Sequence, residues 1–164
     1  MAKKILEADK TWMLRAIHLA REAEKNGEVP VGAIVIDGGQ KILAAASNRT
    51  IIDNDPTAHA EILALRTAAM RVGNYRLTGA TVYATIEPCV MCAGALVNAR
   101  VARLVYGAAD ERFGAARSIF RLCDNKKLNH RIEIATGVLE EKCRRLIQDF
   151  FRARRQLEKD AGKP

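Results

Sequence analysis

Two short stretches of the chain carry the side chain types that proteins use to bind metal ions. The first, HAE, begins at His59, and the second, PCVMC, contains Cys89 and Cys92. Imidazole nitrogen and cysteine thiolate are ligands that zinc takes from proteins. The two stretches therefore mark a candidate metal centre, and the carboxyl group of Glu61 is expected beside it.

Each stretch lies where a helix is predicted to begin. Cys89 and Cys92 are three residues apart, so both thiols lie on one side of their helix, whose positive N-terminal end favours thiolate. His59 and Glu61 are two residues apart, about 200° around a helix, and cannot share a face along its side. They can converge on one object beyond the N-terminal end, because helical side chains lean that way.

A Cys-x-x-Cys pair is by itself ambiguous between a zinc site, a redox pair and simple packing. A structural zinc site normally takes four protein ligands in two close pairs. No second pair is present, and the spacing of Cys123 and Cys143 indicates buried small apolar residues. A redox pair usually belongs to a thioredoxin-like unit, which the predicted elements do not resemble. One imidazole and two thiolates leave a fourth position for water, as in catalytic zinc, and Glu61 would then move protons.

The hydrophobic pattern predicts helices and strands that would position these residues. Apolar residues three and four apart indicate helices, and short apolar or β-branched runs indicate strands. Asp55 or Thr57 is expected to cap the helix that carries Glu61. We predict helices at 12–24, 58–71, 90–99 and 140–159, strands at 31–37, 41–47, 80–87, 102–108 and 130–136, and loop with a short helix at 108–130. This order is typical of an α/β fold with three layers, α/β/α, around a central mixed sheet of five strands.

The bulk properties are those of a globular chain. The 164 residues are 49% hydrophobic and 28% charged, so we expect one domain over 1–164 with a core at about 11–156. The tips MAKK and KDAGKP are expected to be frayed. The longest central uncharged stretch, PCVMCAGALVNA, is shorter than the ~20 residues of a membrane span, and no signal peptide is recognised. We therefore expect a cytoplasmic protein without membrane contact.

Basic residues outnumber acidic ones, and the excess is concentrated near the C-terminus. The chain has a net charge of +8 and a pI near 9.6. Residues 142–159 hold seven basic and two acidic side chains. Basic surface attracts polyanions over long range, which favours a nucleic-acid partner. The alternative is a surplus of basic residues that only keeps the protein soluble.

The HAE stretch together with EPCVMCAGA at 87–95 resembles the signature of zinc-dependent nucleoside and nucleobase deaminases. The sequence is more closely similar to the bacterial tRNA adenosine deaminases, which convert a wobble adenosine of tRNA to inosine. That resemblance covers about residues 11–156 and includes VPVGAIV, SNR, DPTAHAEI, NYRL, NHR and DFFR. It implies a cytidine-deaminase-like fold, a homodimer, the anticodon loop of tRNA as partner, and one Zn²⁺ per chain held by His59, Cys89 and Cys92.

The resemblance also implies roles for single residues. Glu61 would take a proton from the zinc-bound water and pass protons to the purine ring nitrogen and the departing amine, while hydroxide adds to C6 and ammonia leaves. N–H groups around Cys89 would stabilise the oxyanion. Asn48 would bind the base and ribose, with shaping of the turn before Arg49 as the alternative. Asp110 would contact the RNA backbone, and a turn or capping role competes with that assignment.

The last predicted helix combines an apolar stripe with a basic end. The stripe at 143–150 repeats apolar residues at helical spacing and is predicted to face the core, with Phe151 at its edge. Arginines beside an aromatic ring suit an anticodon loop, whose bases stack and whose phosphates pair with guanidinium. A merely solubilising helix end is the alternative. We assign substrate binding to Phe151, Arg152, Arg154 and Arg155.

The segment GAARSIF departs from the family pattern, because a glycine commonly stands where this chain has Arg117, and Phe113 adds bulk nearby. Any glycine-dependent turn there must differ.

Two other functions remain open: deamination of a free base or nucleotide such as guanine or cytosine, and a non-catalytic RNA-binding module with structural zinc. The basic helix end disfavours the first, and Glu61 with the missing fourth ligand disfavours the second.

Overall fold

The computed structural model describes residues 4–162, which contain four helices and five strands. The helices are α1 (Glu7–Lys25), α2 (Ala60–Val72), α3 (Val90–Asn98) and α4 (Glu140–Ala161). The strands are β1 (Gly32–Ile36), β2 (Ile42–Ser47), β3 (Thr81–Ile86), β4 (Arg103–Ala108) and β5 (Glu133–Thr136). Of the predicted frayed tips, residues 1–3 and 163–164 lie outside the described residues.

The strands form one mixed sheet in the order β2-β1-β3-β4-β5. β1 pairs antiparallel with both β2 and β3, whereas β3, β4 and β5 are parallel. β2 therefore runs in the same direction as β3 and β4, and all three end at one edge of the sheet, which we call the carboxyl edge. Loops that leave neighbouring strands at such an edge are where open α/β sheets place their ligands.

Helices cover both faces of the sheet and produce the predicted three layers. α1 and α4 pack on one face, and α2 and α3 pack on the other. Within β1, Ile34 points to the face covered by α1 and α4 and Val35 to the face covered by α2 and α3, because successive side chains of a strand point to opposite faces. The apolar cluster beneath α1 and α4 includes Met13, Ile17, Tyr83, Val105 and Cys143. The cluster beneath α2 and α3 includes Leu65, Val82, Leu96, Leu104 and Cys123. Cys123 and Cys143 are thus buried, as predicted.

A buried ion pair near the amino end of β4 fixes the start of α1. Asp9 accepts hydrogen bonds from Arg103 Nη1 at 2.7 Å and Nη2 at 2.9 Å, and from the hydroxyl of Tyr83 at 2.9 Å. Burial alone would raise the pKa of Asp9, but these bonds and the one from the Leu6 N–H outweigh it and lower the pKa. A bidentate arginine–carboxylate pair fixes orientation as well as distance. The contact therefore holds α1 against β3 and β4.

Two predicted boundaries and one predicted short helix are wrong. α1 begins at Glu7, earlier than predicted, because its first turns are polar and the apolar repeat starts only at Trp12. α4 continues to Ala161, so part of the predicted C-terminal tip is helical. The segment 108–130 contains turns and strand β4's last residue but no α-helix.

In residues 4–162, no helix combines the length and apolar character needed to cross a bilayer.

The predicted cap of α2 is also wrong. The helix begins at Ala60, and the residue before it, His59, takes the N-cap position with an extended backbone. The carboxylate of Asp55 instead accepts hydrogen bonds from the N–H of Thr57 at 2.8 Å and from its hydroxyl at 2.7 Å. Asp55 therefore closes a separate turn before the helix, and the imidazole stands at the helix end.

Candidate metal centre and active site

The structure brings the three predicted ligands together at the carboxyl edge of the sheet. His59 directly precedes α2, Cys89 directly precedes α3, and Cys92 lies in the first turn of α3. Their ligand atoms all lie within 4.8 Å of one another. In the part of the chain that the structure describes, no other group of three such side chains is close enough to hold a metal ion.

The distances within this cluster fit a tetrahedral ion. His59 Nδ1 lies 3.6 Å from Cys89 Sγ and 3.5 Å from Cys92 Sγ. A tetrahedral zinc bound at ~2.3 Å to sulfur and ~2.05 Å to nitrogen would separate those atoms by about 3.6 Å. Sulfur and imidazole donors also favour zinc over magnesium or calcium. Both nitrogen–sulfur distances therefore fit a zinc ion.

Cys89 and Cys92 shift each other's pKa in opposite directions. The hydrogen bond from Cys92 lowers the pKa of Cys89 to about 4, although burial opposes the shift. The same interaction raises the pKa of Cys92, and burial adds to the increase. The interaction with Cys89 raises the pKa of His59. A bound cation would displace the thiol protons, because metal binding releases the protons of its ligands.

Glu61 is the acidic group of the site. It lies in the first turn of α2, is only 3% exposed, and makes a hydrogen bond with Cys92. Burial raises the pKa of its carboxyl group. A carboxyl group with a raised pKa takes up a proton more readily than an exposed one does. Its position beside the ligands agrees with the predicted role in proton transfer.

Two helix N-termini meet at the cluster. The N-cap residues of α2 and α3 are the ligands His59 and Cys89 themselves, and neither side chain caps its own helix. The positive ends of the two helices stabilise thiolate and any negative charge that develops at this point.

The loop after β2, residues 48–58, is held on one side of the cluster by a buried carboxylate. Glu28 is fully buried and accepts hydrogen bonds from the N–H groups of Ile51 at 2.8 Å and Ile52 at 2.7 Å. It also accepts from the side-chain amide of Asn48 at 3.3 Å. The structure therefore gives Asn48 a role in shaping this turn, and its predicted contact with the base stays a prediction.

The loop after β4, residues 109–118, is held in the same way by Glu87. This carboxylate accepts hydrogen bonds from the N–H groups of Asp110 at 3.0 Å, Arg117 at 2.7 Å and Ser118 at 2.9 Å, and from the Ser118 hydroxyl. Burial alone would raise the pKa of Glu87, but these bonds lower it. Arg117 has no positive φ, so the turn it occupies requires no glycine.

The same loop is bonded directly to the metal-binding stretch. The N–H of Ala115 donates to the carbonyl of Pro88 at 2.8 Å, one residue before Cys89. The carboxylate of Asp110 accepts from the N–H groups of Arg112 at 2.9 Å and Phe113 at 3.1 Å. Asp110 therefore has the predicted alternative role in a turn, and its contact with RNA stays a prediction.

The comparisons with known proteins agree with this geometry. The chain matches the family model described as MafB19-like deaminase over residues 7–155. It is 46% identical over 158 residues to the tRNA-specific adenosine deaminase of Haemophilus influenzae, across 96% of this chain and 91% of that protein. The chain belongs to the tRNA-specific adenosine deaminase family.

Solved structures of related deaminases share the fold. One, from a study of A-to-I editing by tRNA:A34 deaminases at the wobble position of transfer RNA, has a TM-score of 0.79 and 39% identity, covering 83% of this chain and 98% of that one. A guanine deaminase from Bacillus subtilis has a TM-score of 0.60 and 31% identity, covering 93% and 95%. The predicted cytidine-deaminase-like α/β fold is therefore confirmed, and the tRNA-specific adenosine deaminase family shares it with a guanine deaminase.

In this member of the tRNA-specific adenosine deaminase family, the residues predicted to bind RNA lie beyond the packed part of α4. Cys143 and Phe150 are buried, while every residue from 151 to 161 is exposed. The ring of Phe151 meets that of Phe150 edge to face at 5.3 Å and remains 41% exposed. The side chains of Arg152, Arg154 and Arg155 are thus exposed on this helix.

Sequence reasoning missed Glu28 and Glu87, which hold the loops on either side of the metal cluster. Their partners are mainly backbone N–H groups 23 to 31 residues further along the chain, which no local pattern reveals. For Glu87 one signal was present, because it directly precedes the Pro-Cys pair of the second metal-binding stretch.

Proposed function

We propose that this chain is a zinc-dependent hydrolase that converts adenosine to inosine at the wobble position of tRNA. The observation that carries the proposal is the convergence of His59, Cys89 and Cys92 on one point with the buried carboxyl group of Glu61 beside them. Three such ligands match a catalytic zinc site, with one Zn²⁺ per chain, since structural sites take four. The similarity to the tRNA-specific adenosine deaminase of Haemophilus influenzae supports tRNA as the substrate.

The proposed mechanism assigns the proton transfers to Glu61. When bound, Zn²⁺ would supply the Lewis acidity that makes water a nucleophile near neutral pH. The carboxylate of Glu61 takes the proton of that water as its oxygen adds to C6 of adenine. The same group delivers that proton to the ring nitrogen, then takes the remaining proton of the hydroxyl added at C6 and passes it to the departing amine, so that ammonia leaves and inosine remains. The N–H groups at the start of α3, around Cys89, would stabilise the negative charge that develops on oxygen.

The substrate is proposed to lie along the carboxyl edge. Asn48 would contact the base and ribose, and Asp110 the RNA backbone, because both follow strands that end at this edge. The exposed end of α4 would hold the anticodon loop through the ring of Phe151 and the guanidinium groups of Arg152, Arg154 and Arg155.

We further propose that the chain acts as one deaminase domain over residues 1–164 in a cytoplasmic homodimer. In support of a dimer, the outer face of α2 and α3 forms a mainly apolar groove of about 330 Å³, lined by Ile62, Leu65, Arg66, Ala69, Tyr75, Ala95, Asn98 and Ala99. Met70 nearby is 84% exposed, an unusual exposure for a large apolar side chain.

Ammonia release from different substrates tests the proposed reaction. The zinc-loaded protein would be incubated separately with tRNA, an anticodon stem-loop, guanine and cytidine. We expect ammonia and inosine from the two RNAs, and none from guanine or cytidine. Release from guanine or cytidine with both RNAs inert would replace this proposal by a free-base or nucleoside deaminase. Stoichiometric zinc without any ammonia would favour the non-catalytic RNA-binding module.

Reversing the charge of Arg154 and Arg155 to glutamate should weaken tRNA binding and its dependence on salt. Removing one ion pair between the protein and a phosphate lowers the slope of log affinity against log salt concentration by about 0.7 for single-stranded RNA. Affinity would be measured by fluorescence anisotropy at several salt concentrations. A matched control reverses Lys126 and Lys127, an equal charge change in the connection to β5. Equal affinities and slopes for wild type and the Arg154/Arg155 variant would exclude this contribution.

A further inference from the structure

The loop of residues 109–118 carries an exposed aromatic ring that the mechanism above does not use. Phe113 is 68% exposed, although a phenylalanine side chain normally lies in the core. It belongs to the loop after β4, at the carboxyl edge, and this loop is bonded to the carbonyl of Pro88 beside the ligand Cys89. The ring therefore belongs to a loop that is bonded directly to the metal-binding stretch.

The backbone beneath this ring is fixed. The N–H of Phe113 donates to the carboxylate of Asp110, and the N–H of Gly114 donates to the carbonyl of Asp110 at 2.9 Å. A Cβ atom at Gly114 would overlap that carbonyl and the carboxylate of Glu87, so the loop is packed against Glu87 without spare room. An aromatic side chain on such a backbone loses little conformational freedom when a ligand binds.

We propose that Phe113 is a stacking platform for a base next to the target adenosine, and that it contributes to the selection of RNA as substrate. The inference rests on the proposed function, because it needs a single-stranded nucleic acid at the metal centre. The target adenine must leave the base stack so that its C6 atom can enter the buried site. Its neighbours in the RNA then lack one stacking partner. An exposed aromatic ring beside the site replaces that partner.

Stacking on one ring predicts an effect on binding and not on chemistry. The substitution Phe113→Ala should raise KM for the anticodon stem-loop by about 5- to 150-fold, the range that stacking of one base on an aromatic side chain represents. kcat at saturating RNA should stay unchanged, because the substitution leaves His59, Cys89, Cys92 and Glu61 in place. Phe113→Trp should retain the wild-type KM, because it keeps an aromatic face.

Direct observation of the stacked base comes from 2-aminopurine placed on the 5′ or the 3′ side of the adenosine. In a Glu61→Ala background, which prevents turnover, binding to the Phe113-containing protein should quench the fluorescence of one of the two probes. The quenching should be lost with Phe113→Ala. Leu128→Ala is the matched control, because it removes a 40% exposed apolar side chain from the same connection between β4 and β5.

The outcomes separate this inference from the proposed function. If wild type deaminates the stem-loop and Phe113→Ala has the same KM and quenching, the stacking role is refuted and the proposed function stands. If kcat falls equally in Phe113→Ala and Phe113→Trp with KM unchanged, the residue only supports the loop, and stacking is again refuted. If Phe113→Ala changes the sedimentation of the protein and not the quenching, the ring contacts a second copy of the chain. If wild type acts on guanine and not on RNA, the proposed function itself fails.

Discussion

Replacing Glu61 by glutamine should lower the turnover of the stem-loop by about 10²- to 10⁴-fold and leave the zinc content unchanged. This range is what general acid–base catalysis by one positioned side chain contributes. Glutamine keeps the size of the side chain, but it can neither accept the proton of water nor return one to the leaving amine. Because Glu61 is outside the group of three metal ligands, the cluster should remain intact.

The measurement combines single-turnover kinetics with elemental analysis of the same preparation. KM should change little, since the carboxyl group acts in the chemical step, and kcat should carry the loss. Glu111→Gln is the control, because Glu111 lies on the loop after β4 but is exposed to solvent. Wild-type turnover in Glu61→Gln would refute the assigned proton transfer. Loss of zinc with the loss of activity would instead make Glu61 a support for the metal.

Replacing Cys92 by alanine should abolish both zinc binding and deamination. Cys92 is fully buried and supplies one of two sulfur donors, so alanine leaves a two-ligand site that cannot hold a tetrahedral ion against dialysis. The protein would be dialysed against a defined zinc concentration and assayed for metal and for ammonia release. We expect zinc per chain to fall from about one to near zero.

Cys123→Ala provides a matched control for this prediction. Cys123 is equally buried, but it lies in the apolar cluster beneath α2 and α3, away from the group of three ligands. It should keep its zinc and its activity at a small cost in stability. Retention of stoichiometric zinc and activity by Cys92→Ala would remove the basis of the proposed mechanism. Loss of zinc in both variants would show only that the fold tolerates no change at buried sulfur.

The parts of the site that sequence reasoning predicted depend on local spacing. Cys89 and Cys92 are three residues apart at the start of α3, and His59 and Glu61 lie at the N-cap and in the first turn of α2, so their geometry follows from the start of one helix. The order of elements followed in the same way from apolar periodicity. The family resemblance then supplied the fold class, which the related structures confirm.

The parts that sequence reasoning missed depend on contacts between distant segments. Glu28 and Glu87 are buried because they accept backbone hydrogen bonds from loops that follow later in the chain. Asp9 pairs with a residue 94 positions away. A carboxylate of this kind is indistinguishable in sequence from a solvated one. The predicted cap of α2 is wrong for a related reason. The local candidates Asp55 and Thr57 hydrogen-bond to each other, and the imidazole of His59 lies at the helix end instead.

The separate anchoring of the two loops has an evolutionary consequence. Each loop is held by its own buried carboxylate, whereas the metal-binding side chains lie at the starts of helices. Substitutions at the loop tips can therefore accumulate without changing the residues that carry out the reaction. Enzymes for nucleobases and for polynucleotides can thus diverge from one ancestor by changes confined to a few surface positions.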